Sequence, residues 1–239
     1  MKKLPIGIQN FSKLIQDDYL YVDKTRHIAE LIQSGEYFFL SRPRRFGKSL
    51  LVSTLSEIFS GNQRLFQGFY IYDKIEWQSH PIIHIDFSVI DYSTELQEGL
   101  IELLDGINTD YQLDVDRRGF KAYFKKIIRA LYEKYGKVVV LIDEYDKPIV
   151  DYVDDIKRAT KNRTILRDFF GVLKYSDACL RFVFLTGVSK FSRVSIFSDL
   201  NNLRDITLSP NLPLYLDTPK TNWKVILISI SKISVSRWE

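Results

Sequence analysis

The chain has 239 residues, 45% hydrophobic and 27% charged, with a formal net charge of +4. That balance excludes disordered and fibrous classes, provides ample chain for a core, and permits polyanion binding without arguing for it. The single cysteine, Cys179, and the scattered His27, His80 and His84 exclude an internal disulfide and show no zinc-ligand spacing, which fits a reducing cytoplasm.

Met1-Lys2-Lys3-Leu4-Pro5 carries charge with no apolar core behind it, so it does not read as a secretory signal, and no apolar run reaches the length of a membrane span. Pro5-Ile6-Gly7 is an irregular entry, followed by the short apolar run Tyr19-Leu20-Tyr21-Val22. Asp23-Lys24-Thr25 then leads into a helix through Ile28, Leu31 and Ile32, with Asp23 or Thr25 as the expected N-cap. The tripeptide could instead fold over a nucleotide base, but spacing favours the capping role.

Tyr37-Phe38-Phe39-Leu40 predicts a buried strand, and Leu50, Leu51, Leu55, Ile58 and Phe59 recur at helical spacing until Gly61-Asn62. Between them lies Arg42-Pro43-Arg44-Arg45-Phe46-Gly47-Lys48-Ser49. Strand, loop with Gly-Lys-Ser, helix is the context of a phosphate-binding loop. Gly47 lets the backbone approach phosphate oxygens, and the N–H groups and dipole of the following helix favour an anion there. Lys48 can reach the β- and γ-phosphates, and Ser49 offers a hydroxyl to Mg²⁺. The usual pattern begins with a glycine where this chain has Arg42, so the bland alternative is a chance Gly-Lys-Ser in a basic loop. The cluster Arg42, Arg44, Arg45 and Lys48 concentrates positive charge where phosphates would sit.

Pro81 opens a strand over Ile82–Phe87, in which His84 reads as a satisfied sheet residue and Asp86 ends the strand. A polar helix follows through Leu96, Leu100, Leu103 and Leu104. Asp116 is the expected N-cap of a long amphipathic helix through Phe120, Tyr123, Phe124, Ile127, Ile128, Leu131 and Tyr135, closed by Gly136. Val138-Val139-Val140-Leu141-Ile142 predicts a strand buried on both faces, and the acids Asp143-Glu144 at its carboxyl end form a Walker B signature. Asp143 would hold Mg²⁺ through water, and Glu144 would orient or deprotonate the attacking water.

Asp146-Lys147-Pro148 reads as a turn, 151–161 as a charge-rich loop or helix, and Thr164–Ser176 as a helix. Asp155-Ile156-Lys157 has the D-x-K spacing of a nuclease motif, but no strand is there to place it. The last clear strand is Arg181–Gly187, ending at Thr186. Thr186 or Ser189 suits a polar group near a γ-phosphate, and Lys190 or Arg193 suits charge neutralisation. Val225-Ile226-Leu227-Ile228-Ser229-Ile230 is strand-like and carries no motif.

Taken together, Pro5-Ile6-Gly7-Ile8, Tyr21-Val22-Asp23-Lys24-Thr25, the 42–49 loop, Leu141–Asp146 and Leu185–Ser192 resemble the AAA-ATPase-like domain family. The resemblance spans residues 4–210, and in that family Arg-Pro-Arg-Arg-Phe-Gly-Lys-Ser is itself the phosphate-loop form. It implies an α/β P-loop NTPase fold of the AAA/ASCE type, a parallel sheet with helices on both faces and an extra strand between the Walker A and Walker B strands. It also implies ATP and Mg²⁺ as cofactors. The expected nucleotide-binding residues are Arg44, Arg45, Phe46, Gly47, Lys48, Ser49, Leu50 and Thr186. Ser49 and Asp143 are the expected metal residues, and Glu144, Lys48 and Arg193 the expected catalytic ones. Members of the family usually continue into a helical region and a domain similar to PD-(D/E)XK nucleases. Residues 211–239 do not resemble that continuation, so they are expected to be an atypical tail of a truncated or frameshifted product. Nucleic acid would then be reached only through the missing domain. The expected partners are the nucleotide and a protein partner or second copy able to supply an arginine, in the cytoplasm and without a membrane. The expected function is Mg-dependent ATP hydrolysis coupled to a conformational change, with a regulatory nucleotide switch of little turnover as the alternative.

Overall fold

The structure is a computed structural model that describes residues 2–189, 196–197, 200 and 202–207. Arg193, Lys190 and the 211–239 tail, with its strand-like Val225–Ile230, lie outside the described residues. In chain order the elements are helices α1 (Phe11–Gln16) and α2 (Thr25–Ser34), strand β1 (Tyr37–Ser41), helix α3 (Lys48–Phe59), strand β2 (Ile82–Asp86), helices α4 (Leu96–Asp110) and α5 (Phe120–Tyr135), strand β3 (Val138–Asp143), helices α6 (Lys147–Val150) and α7 (Ile156–Tyr175), and strands β4 (Leu180–Gly187) and β5 (Arg204–Asp205).

The five strands form one parallel sheet in the order β2-β3-β4-β1-β5. β1 and β3 are buried at every position, as continuous apolar runs require when helices cover both faces. Alternate residues feed two cores. Phe39, Ile85, Val140, Ile142, Val183 and Leu185 face α4, α5 and α7, whereas Phe38, Leu40, Val139, Leu141, Phe182 and Phe184 face α1, α2 and α3. This is the period-2 alternation of a strand read from its two sides. No helix among the described residues is long and apolar enough to cross a membrane.

Two local expectations are corrected. Asp116 does not cap α5: Gly119, at φ 72°, occupies the N-cap, while Asp116 accepts from Arg118 N at 3.2 Å and Lys126 Nζ at 2.9 Å. The helix expected from Thr164 begins at Ile156, because its first two turns are largely solvated and bury only Ala159 and Asn162, too few residues to print an apolar period. His84 sits in β2 opposite Leu141, a sheet residue as expected, with its side chain exposed. The D-x-K triplet has a structural use, since the Asp155 side chain accepts from Arg158 N at 3.1 Å and caps α7.

At the start of α2 the N-cap position is Lys24, but the capping oxygen comes from Asp23. Its Oδ1 accepts from Thr25 N at 2.8 Å and Thr25 Oγ1 at 2.7 Å, and its Oδ2 accepts from Tyr70 N at 2.9 Å. Thr25 Oγ1 in turn accepts from Ile71 N at 3.1 Å, so the pair pins the turn at 70–73 against α2. Asp23→Ala removes a cap and this tether together. It is expected to lower unfolding free energy by about 1–2 kcal/mol, read from the urea midpoint at unchanged slope.

Candidate functional site

Because the strands are parallel and paired in register, their carboxyl ends gather at one rim. Ser41 of β1 lies beside Gly187 of β4, and Asp86 of β2 beside Asp143 of β3. β4 itself runs between β1 and β3. Ligands of open α/β sheets bind beyond such a rim.

The loop 42–47 leaves β1 there and turns into α3. Gly47 makes the turn at φ 72°, ψ 15°, a left-handed conformation that costs glycine nothing, and Arg45 adopts φ 68° two residues earlier. The loop is tied to the sheet by Arg42 N, which donates to Gly187 O at 3.1 Å. Arg44, Arg45 and Phe46 are exposed, Ser49 and Leu50 are half-buried, and Lys48 is 5% exposed. The Lys48 ammonium donates to Arg42 O at 3.0 Å and Pro43 O at 3.1 Å, so it is folded back under its own loop. Burial lowers the Lys48 pKa, and the charges of Asp143, Glu144 and Asp146 oppose that shift.

Across the rim stand the acids. Asp143 is 3% exposed. Its Oδ1 accepts from Glu144 N at 3.0 Å. Burial raises the Asp143 pKa and Asp86 adds to it, while the nearby Ser49 hydroxyl, the Glu144 amide and the charge of Lys48 act the other way. Glu144 is half-buried and its pKa is also raised, first by burial and then by Asp143 and Asp86. Its φ of 50° is rare outside glycine and marks backbone held in place by its surroundings.

The strand between them ends in Thr186, which is fully buried, and its hydroxyl has no hydrogen-bond partner in the described structure. The Arg42 Nε is likewise buried without one. A buried hydroxyl without a partner is costly, so Thr186 fits a group that gains a partner when something binds. Ser189 differs, because its hydroxyl donates to Asp146 Oδ2 at 2.7 Å. Asp146, read from sequence only as part of a turn, is 2% exposed and belongs to this rim.

The structure thus brings together Lys48, Ser49, Asp143, Glu144 and the β4 end with Thr186, while Arg193 lies outside the described residues. Among the described residues no group of three or more His, Cys, Asp or Glu is spaced to hold a metal ion. A magnesium ion that keeps most of its waters and takes phosphate oxygens needs only one or two protein oxygens, and the Ser49–Asp143 pair offers those.

A five-stranded parallel sheet with helices, carrying this strand–loop–helix at its rim, is consistent with a P-loop-like domain. The chain belongs to the AAA-ATPase-like family, whose model, described as Predicted AAA-ATPase, matches residues 5–197. It is also 47% identical over 212 residues to an uncharacterized protein in the vnfD 5' region of Azotobacter chroococcum mcd 1. That match covers 87% of this chain and 41% of the relative, so the chain spans less than half of the relative's length. No solved structure matches the chain.

Proposed function

We propose that this chain is an ATP-binding P-loop domain of the AAA/ASCE type that hydrolyses Mg-ATP slowly and couples hydrolysis to a conformational change. The observation that carries this reading is the meeting of the two motifs at one rim: the loop leaving β1 and Asp143 at the end of β3 lie on either side of β4, and the charge of Asp143 acts on the Lys48 ammonium. In this reading β1 and β3 are the Walker A and Walker B strands, with β4 as the strand between. Family membership supports nucleotide binding.

The roles follow from the chemistry of each group. The amides at Gly47 and the start of α3 receive phosphate oxygens. Lys48 exchanges two carbonyl partners, Arg42 O and Pro43 O, for phosphate oxygens, a charge-assisted and stronger bond. Arg44, Arg45, Phe46 and Leu50 line the approach. Ser49 and Asp143 hold the metal, which when bound neutralises charge on the phosphates. Glu144 accepts the proton of the attacking water, and the Thr186 hydroxyl orients that water or the terminal phosphate. Arg193, or an arginine from a protein partner or second copy, supplies the remaining counter-charge.

Calorimetric titration tests this reading. Wild type is expected to bind ATP in a magnesium-dependent manner, and Lys48→Ala to weaken binding by about 1.5–3 kcal/mol, the usual worth of a hydrogen bond to a charged group. A parallel titration with GTP reads the base preference. Equal affinity in wild type and Lys48→Ala, or no heat with either nucleotide, overturns the assignment.

A further inference from the structure

We propose that Asp146 is a positioning residue whose buried carboxylate laces the loop leaving β3 to the loop leaving β4, so that Glu144 and Thr186 move as one unit. This rests on the ATPase reading above. Asp146 Oδ2 accepts from Ser189 N at 2.6 Å, Ser189 Oγ at 2.7 Å and Val188 N at 3.2 Å, and Oδ1 accepts from Val188 N at 3.2 Å. Its neighbour completes the lacing. Tyr145 N donates to Thr186 O at 3.1 Å, and Tyr145 Oη donates to Ser189 O at 2.8 Å. Ser189 is therefore held through its amide, its hydroxyl and its carbonyl, all by residues 145–146.

The same lacing reaches the phosphate loop. Ser41 Oγ donates to Val188 O at 2.9 Å, beside the Arg42 N to Gly187 O bond, and the charge of Asp146 acts on the Lys48 ammonium. Space is committed to the arrangement as well. A Cβ on Gly187 would lie 2.5 Å from Asp146 Oδ1 and 2.5 Å from Tyr145 Cε1, so the close approach of the two loops requires glycine.

A carboxylate is the group this geometry demands. Buried acids persist only when hydrogen-bonded, and here every donor is neutral while both oxygens accept. An amide of the same shape offers one acceptor oxygen, and its NH₂ would face the N–H groups of Val188 and Ser189. Asp146→Asn should keep the fold but release one side of the lacing. A shift on the order of 1 Å in a reacting group costs about a hundredfold in rate, whereas the ground-state phosphate contacts of Lys48 and Gly47 are made directly and feel Asp146 only through its charge and the tie at Val188.

The test has two arms on the full chain. Hydrogen–deuterium exchange of the nucleotide-free protein reads the Val188 and Ser189 amides. They are expected to exchange about tenfold faster in Asp146→Asn than in wild type, with α5 protection unchanged. Single-turnover hydrolysis and calorimetry then read kcat against binding. In Asp146→Asn, kcat is expected to fall by about a hundredfold, with stoichiometry unchanged and Mg-ATP affinity changed by no more than about fivefold, the share left to the lost charge near Lys48. Ser189→Ala, which removes only the hydroxyl bond, should move both readouts the same way by less. Unchanged exchange in Asp146→Asn overturns the proposal, as does faster exchange with unchanged kcat. A loss of kcat matched by a loss of binding stoichiometry also overturns it, because that is unfolding rather than mispositioning. If wild type binds no nucleotide, the ATPase reading falls by itself, and the exchange arm still reports whether Asp146 holds the loop.

Discussion

Glu144→Gln is expected to slow single-turnover hydrolysis of Mg-ATP by about a hundred- to ten-thousandfold, the usual worth of a positioned acid–base group, with nucleotide affinity little changed. Burial, Asp143 and Asp86 all raise the Glu144 pKa, which brings its basicity closer to neutral pH, where a general base works best. The same crowding has a thermodynamic side. A carboxylate whose folded pKa is raised adds stability below its unfolded pKa, and that contribution is lost as pH rises through the folded value. At pH 7 the charged Glu144 therefore costs stability. In metal-free protein Glu144→Gln should raise the melting temperature on the order of 2 °C at pH 7, and the gain should vanish as pH falls to the acid range. Equal hydrolysis rates in wild type and variant would withdraw the role of Glu144 and leave a nucleotide-binding switch.

Phe169→Ala is expected to be the most destabilising single truncation in the helical layer, by about 3–5 kcal/mol. The ring is fully buried on α7 and stacks on Phe124 at 4.2 Å with planes 5° apart. Phe120 lies stacked at 5.7 Å on one side and Phe170 edge-on at 5.7 Å on another. Removing it opens a cavity among rings that cannot all collapse inward. Urea unfolding should show the loss in the midpoint. Mg-ATP affinity in the folded variant should match wild type, since the rings around Phe169 are supplied by α5 and α7. A loss below about 1 kcal/mol would contradict the packing described.

The parts of this molecule legible in its sequence are those in which adjacent residues do one job. Val138–Ile142 prints a buried strand because both faces are covered, and Gly47-Lys48-Ser49 prints the turn into α3 because glycine takes the left-handed conformation there. Lys48 and Asp143 fall on the same rim. What sequence could not print depends on distant partners. Asp146 looks like one more turn acid until Val188 and Ser189 are seen on its oxygens. Asp116 looks like a cap because caps favour that residue type, but the chain turns into α5 three residues later at Gly119. The first half of α7 stayed open between loop and helix because a solvated helix needs few apolar residues. Asp23 was legible as a cap, but not as a tether to Tyr70.

The placement of β1 bears on how such a chain comes off the ribosome. Tyr37 pairs with Val183 and Phe38 with Arg204, so the aromatic strand that starts the phosphate loop has no neighbour until nearly all of the described chain is made. Pairings this distant are slow to form and leave apolar segments open to wrong associations meanwhile. Tyr37-Phe38-Phe39-Leu40 would be the segment in need of a chaperone during synthesis, and chains interrupted before Leu180 would carry it bare.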